Sequence, residues 1–276
     1  MQILGEGALS KMRAELGDVV RYQLPLGDQL IEMNELLGKR ISLSYAGAIN
    51  CLHCGRKTKK SFSQGFCYPC FTKLPQCDSC IMSPEKCHFH QGSCRDAAWG
   101  EQHCFVPHIV YLSNASGLKV GITRGTQVPT RWIDQGAIQA IPAFRVSARI
   151  LSGLVERIYG EHISDRTNWR AMLKGAVEPL EMIKLREEMY LRCQEEITQL
   201  QNIHGLQSIQ PILEGEVVEI AYPVLQYPTK VVTHNMDKEP DVDGVLLGIK
   251  GQYLMLDTGV INLRKYTSYK ITLSSE

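Results

Sequence analysis

Nine of the ten cysteines fall between Cys51 and Cys104, and this clustering constrains the fold more than any other feature of the chain. Cys51-Leu-His-Cys54 and Cys67-Tyr-Pro-Cys70 form two CxxC pairs separated by twelve residues. A CxxC turn aims two thiolates at one cation. Two such turns complete the tetrahedral four-sulfur set that suits Zn²⁺. Gly55 follows the first pair, where the chain must turn tightly. Met1–Glu6 carries no basic stretch ahead of an apolar run, and no segment approaches the roughly eighteen apolar residues of a membrane span. A cytoplasmic location with no membrane association is therefore expected, where thiols stay reduced and metal binding is favoured over disulfide pairing or a redox pair.

Cys77-Asp-Ser-Cys80 makes a third CxxC pair. Its two missing ligands have several candidates: Cys87, Cys94 and Cys104, with His88, His90, His103 and His108 nearby. Cys94 and Cys104 are the favoured partners, which sets a second site at Cys77, Cys80, Cys94 and Cys104. One or two structural Zn²⁺ ions are thus expected. Four protein ligands leave no open position on the metal, so these sites would act as staples and not as catalysts. The competing reading makes some of these cysteines buried small hydrophobes. Cys193 stands apart in a helical segment and is expected in a core.

The net charge of +1 hides an asymmetry. Residues 51–175 hold sixteen Lys/Arg against eight Asp/Glu, while the flanks are neutral to acidic. A basic middle fits a polyanion partner better than random scatter does, and nucleic acid is the partner expected. Inside the first cysteine set, Arg56, Lys57, Lys59 and Lys60 lie beside Phe62 and Phe66. They read either as a phosphate-facing loop with stacking groups or as a solvated turn.

Five segments follow from pattern and punctuation: 1–50, β-rich; 51–107, zinc-binding; 108–175, a β-β-α-β-α unit; 176–213, a long helix and linker; and 214–276, a small β domain. The expected fold class is α+β. Short strands are read at 19–24 and 41–45, with a short helix over 29–37. In 108–175 the expected order is strand 109–113, strand 118–123, helix 129–135, strand 141–147 and helix 149–163. One helix over 178–204 is expected, with Pro179 near its start and Gly205 just past its end. Six short strands in 214–276 suggest a barrel-like domain.

On the helix from 149, Glu156 lies off the apolar stripe, between Gly153 and Gly160 on one face. A carboxylate flanked by two glycines is open to something close-packed. Tyr111 in Val-Tyr-Leu, Lys119-Val120-Gly121, Arg131, Glu156 and Asn168 then come in a fixed order. With these five motifs, residues 109–170 resemble a GIY-YIG nuclease domain. The clustered cysteines together with "LKVGITR", "RWIDQGA" and "SDRTNWR" also resemble a bacterial family described only as a domain of unknown function. The GIY-YIG resemblance implies that Tyr111 orients or deprotonates a water, that Glu156 holds Mg²⁺ or Mn²⁺, and that Arg131 stabilises charge on the phosphorus centre, with Asn168 at the edge of the site. Lys119 stands where the family's second-motif tyrosine would be. Phage-related branches carry Lys-Ile-Gly there. A charged lysine neutralises phosphate but does not act as a general base at neutral pH. Taken singly, each residue also has a plain reading: Tyr111 as core, Arg131 as a surface group, Glu156 as an ion-pair partner of Arg149, and Asn168 as a helix cap.

Three functions compete. The first is a zinc-containing nucleic-acid-binding protein, for DNA or RNA, whose GIY-YIG-like domain has lost or restricted its cutting activity. The second is an active divalent-metal-dependent nuclease, and the third a protein-binding scaffold. The first is preferred, and whether the chain is an enzyme stays open.

Overall fold

A computed structural model describes residues 1–276. In chain order, the first strands are β1 (Gln2–Ala8), β2 (Arg13–Glu15), β3 (Arg21–Leu26), β4 (Gln29–Glu32), β5 (Arg40–Asn50) and β6 (Lys57–Thr58). The cysteine-rich segment carries helices α1 (Tyr68–Lys73) and α2 (Ala97–His103), with short 3-10 turns between them. Next come β7 (His108–Asn114), β8 (Leu118–Arg124), α3 (Thr130–Asp134), β9 (Gln139–Val146), α4 (Arg149–Gly160) and α5 (Trp169–Leu173). They are followed by α6 (Met182–Arg192), α7 (Gln194–His204), β10 (Ile209–Pro211) and β11 (Val218–Glu219), and then β12 (Asp241–Lys250), β13 (Tyr253–Leu256), β14 (Gly259–Asn262) and β15 (Tyr269–Ser275).

The two ends of the chain share one sheet. Its strand order is β1-β15-β5-β12-β13-β14, with β6 folded back on β5. β5 lies between β15 and β12: Leu43 pairs with Leu273 on one side and Val242 on the other. Residues 1–50 and 214–276, separate in the sequence reading, are therefore sewn together by backbone hydrogen bonds. The path ends at β1 and β14, which do not pair, so the sheet is open and the expected barrel does not form. A strand from far upstream fills the position where a six-strand C-terminal unit would have had to close on itself.

Two other local expectations change. Residues 29–37 form β4 and a 3-10 turn instead of a helix, because Gly27 at φ +59° reverses the chain into a β3–β4 hairpin. The Asn34 side chain then bonds Tyr22 N and Val20 O and pins the turn to β3. The expected long helix is two, α6 and α7, meeting at Cys193. Met189, Cys193 and Ile197 are all buried in one core. Steps of four residues drift by about 40° on a straight helix, so the break keeps all three facing that core. Gly205 ends α7 as expected.

The five-stranded sheet, β10-β9-β7-β8 with β11 beside β9, is covered on both faces. Alternation along β7 sends Val110 and Leu112 to the core with α4, α6 and α7, and Tyr111 to the core shared with the large sheet. This second covering places the middle of the chain against the sheet formed by its ends.

Candidate metal centre and basic cleft

Cys51 follows directly on β5. β6 turns back so that Asn50 pairs with Lys57, and Gly55 at φ +70° donates its N–H to Cys51 O over 2.9 Å. This tight hairpin presents Cys51 and Cys54 together. Cys67 precedes α1 and Cys70 lies in its first turn. All four sulfurs lie within 4.8 Å of one another, and Cys54 Sγ is 3.7 Å from Cys67 Sγ. Four thiolates at ~2.3 Å from a tetrahedral Zn²⁺ would be roughly 3.8 Å apart, so the donor set fits a structural zinc. Burial pushes the Cys51 thiol up, but the backbone N–H groups of Cys54, Cys67 and His53 outweigh it and bring it to about 6. Burial and the three neighbouring thiols push Cys70 up to about 12.

Arg56, Lys57, Lys59 and Lys60 lie on the exposed side of this hairpin. Phe62 stacks on Phe71 at 5.6 Å and meets Tyr68 edge-on, with Lys60 5.4 Å from its ring centre. Phe62 and Phe66 are half-buried, so the exposed aromatic of this face is Tyr68, which the sequence reading passed over.

The second cysteine group departs from expectation. Cys77 is buried beside Ser63 and on the side of Cys51. Cys80, Cys94 and Cys104 instead line a small hollow together with Cys87. Asp78 ion-pairs with Arg95 at 3.0 Å and approaches His88 at 3.4 Å.

In the 108–175 unit, Tyr111 pairs with Gly121 across the β7–β8 hairpin, and Ser113 with Lys119. The Tyr111 hydroxyl donates to Gln135 Oε1 over 2.8 Å, and Lys119 Nζ donates to the same oxygen over 2.6 Å. Gln135, which caps the C-terminal end of α3, has no marker in sequence beyond being a polar residue before Gly136. Burial pushes Tyr111 up to about 12 and Lys119 down to about 8. Arg131, on α3, acts on both, and Glu156, on α4, acts on both in the opposite sense. Glu156 is pushed up to about 7, by burial first and then by Asp165, against the pull of Lys119 and Arg131.

Arg131 and Glu156 face an open cleft of about 350 Å³. Lys11, Arg124, Arg149 and Arg264 also line it, so five cations meet two carboxylates, Glu156 and Asp134. Asp134 is already held by Lys11 and by Gln252. Burial lowers Arg264 and Arg149, and the nearby Arg131 charge lowers both further. Arg149 donates to Ile81 O and makes no ion pair with Glu156, while its Nε is buried without a partner. Ile81, Met82 and Pro84 of the cysteine-rich segment form a wall of the cleft. Tyr111 and Lys119 are buried and do not line it. Asn168 accepts from Ala171 N as the cap of α5, the plain reading of that residue.

The glycines beside Glu156 act otherwise than expected. A Cβ on Gly153 would come 2.7 Å from Glu85 N and 2.8 Å from Pro84 Cβ. What packs closely there is the protein's own 84–86 turn. Gly160 faces open space.

Fold and site define a mixed α+β protein with open sheets and a four-cysteine cluster that can hold a structural zinc. The chain belongs to the family described as Protein of unknown function (DUF2797), which matches residues 38–271. That match carries no GIY-YIG assignment. No curated protein and no solved structure matches the chain. No helix is long and apolar enough to cross a membrane.

Proposed function

We propose that the protein binds nucleic acid, DNA or RNA, by taking a phosphodiester backbone into the basic cleft, and that the GIY-YIG-like unit 109–170 has lost or restricted its cutting activity. The observation that carries this reading is the crowding of five cations in one cleft. Like charges held together at a cost to their own pKa values are stabilised by an anion, and arginine's planar fork suits phosphate. The state of Tyr111 supports binding over cutting. It is fully buried, holds its proton up to about pH 12 and gives its hydrogen bond to Gln135. It therefore stands poorly as a base for a water in the cleft.

A second reading, an active nuclease, is favoured by two other groups on the same cleft. Glu156 would hold Mg²⁺ or Mn²⁺, which supplies charge neutralisation at phosphate. His108 Nδ1 lies 2.7 Å from Val106 O and so carries the ring hydrogen, which leaves Nε2 as a bare acceptor. Burial pulls His108 down to about 4, so the ring is neutral at physiological pH and offers Nε2 as a hydrogen-bond acceptor only.

The test is fluorescence anisotropy with labelled duplex DNA, single-stranded DNA and double-stranded RNA. The Arg131→Ala/Arg264→Ala double variant should bind at least about tenfold more weakly and lower the salt slope by about two units on duplex DNA. Unchanged affinity would remove the cleft from the reading. Cleavage in Mn²⁺ that Glu156→Ala abolishes, with binding kept, would favour the nuclease.

A further inference from the structure

Residues 75–107 are poor in core. Only Cys77, Asp78, Pro84 and Gly100 are buried among them, and the backbone runs through four successive 3-10 turns before α2. Such a stretch has little apolar burial to offset the entropy of ordering it. Yet it makes specific long-range contacts. Ile81 O receives Arg149, Cys104 O accepts the Arg149 N–H over 2.7 Å, and the 84–86 turn rests on Gly153.

At the centre of this stretch is a hollow of about 20 Å³, lined by Cys80, Cys87, Cys94 and Cys104 with Phe89, Trp99 and Phe105 around them. That is room for roughly one water-sized sphere, too little for an organic ligand and enough for a metal ion. Unlike those of the first site, no three of these sulfurs stand within 4.8 Å of one another, so the four side chains, all lining the one hollow, turn inward on the ion when it binds. Gly100 lets α2 sit close to Phe89, since a Cβ there would lie 3.3 Å from its ring.

We propose that Cys80, Cys87, Cys94 and Cys104 form a second structural zinc site, separate from the Cys51/Cys54/Cys67/Cys70 site, that holds the wall of the basic cleft in place. On binding, each thiol gives its proton to solvent and the four thiolates donate to one Zn²⁺, with no change of oxidation state. Asp78, Cys80 and His88 offer ligand atoms within 4.8 Å of one another. However, Asp78 is committed to Arg95. Soft thiolates are the better zinc donors. The spacing of the four cysteines contains no CxxC pair, so the set is formed only by the fold. Cys77, though part of a CxxC pair, is excluded.

Zinc is counted on the full chain purified without chelator, and the same samples are read by Co²⁺ substitution, whose tetrathiolate absorption reports each site. The expected result is two equivalents in the wild type. The Cys87→Ser/Cys94→Ser variant should keep one, with the cobalt signal halved, and Cys77→Ala and His88→Ala should both keep two. One equivalent in the wild type, two in the double variant, or loss of one in Cys77→Ala or His88→Ala would overturn the site. Should the double variant fail to fold, iodoacetamide mapping of the intact wild type decides. Cys80, Cys87, Cys94 and Cys104 should resist labelling until zinc is chelated, and their modification in zinc-loaded protein refutes the proposal. These readouts are independent of whether the cleft binds nucleic acid.

Discussion

Tyr111 and Gly121 face each other across the β7–β8 hairpin, and a Cβ on Gly121 would stand 2.7 Å from both Cζ and Oη of the tyrosine. The tyrosine ring is held by its hydrogen bond to Gln135 and by an edge contact with Trp132 at 5.9 Å. Glycine at 121 is thus a requirement of the ring opposite. Gly121→Ala should destabilise the fold by about 1–3 kcal/mol, the usual range for overpacking. Urea denaturation measures this, and a variant as stable as the wild type would show that the ring does not lie over the glycine.

Gly153 makes the corresponding contact between α4 and the cysteine-rich segment. Gly153→Ala should push the 84–86 turn off the helix and raise protease sensitivity within residues 75–107, with the 108–175 unit left folded. Limited proteolysis read by mass spectrometry maps the cuts. Uniform sensitivity along the chain would mean that the contact supports the whole fold and not this wall.

Glu156 titrates near 7 in the folded chain against an ordinary 4.5, burial being the main cause. Its ionisation therefore opposes folding. The stability present below about pH 4.5 is lost as pH rises through 7, a loss of about 3 kcal/mol at 1.36 kcal/mol per unit. Glu156→Gln should match the wild type near pH 5 and be more stable at pH 8, by no more than that amount. Lys119, pulled down to about 8, loses a counter-charge in the variant, which trims the gain. Mn²⁺ should stabilise the wild type at pH 8 and leave the variant unmoved if the carboxylate holds the metal. Thermal melts at the two pH values read both effects, and a variant less stable at pH 8 would mean that its cationic neighbours outweigh burial.

The first zinc site should behave as a folding staple. Cys54→Ser should lose one zinc equivalent and loosen β6 and α1, because ligand binding and folding are one free energy there. Metal analysis with amide hydrogen exchange over residues 50–73 tests it. Full zinc content in the variant would take Cys54 out of the ligand set.

Two basic surfaces can be told apart by salt. Replacing Lys57, Lys59 and Lys60 together by alanine should lower the slope of log affinity against log salt by about two to three units if the exposed hairpin meets phosphates. The Arg131→Ala/Arg264→Ala pair reports the cleft. A slope changed by only one of the two sets names the surface in contact.

Local pattern determined much of this protein. CxxC spacing is itself geometry, since two residues between thiols set both on one turn, and the four sulfurs of Cys51, Cys54, Cys67 and Cys70 do cluster. Alternation and turn residues placed β7, β8, α3, β9 and α4 within a few residues, because those elements follow from side-chain periodicity and from Gly136. What depended on residues far apart in sequence was decided only by the tertiary structure. β5 lies between β15 and β12 because pairing partners are chosen by shape and register across two hundred residues, which leaves no local mark. The same holds for the hollow that brings Cys87 in and leaves Cys77 out, for Gln135 joining Tyr111 to Lys119, and for Lys11 and Arg264, from opposite ends of the chain, meeting Arg131 in one cleft. A short-range pattern records what a residue does to its neighbours in the chain. Burial, charge crowding and the closing of a site depend on neighbours in space.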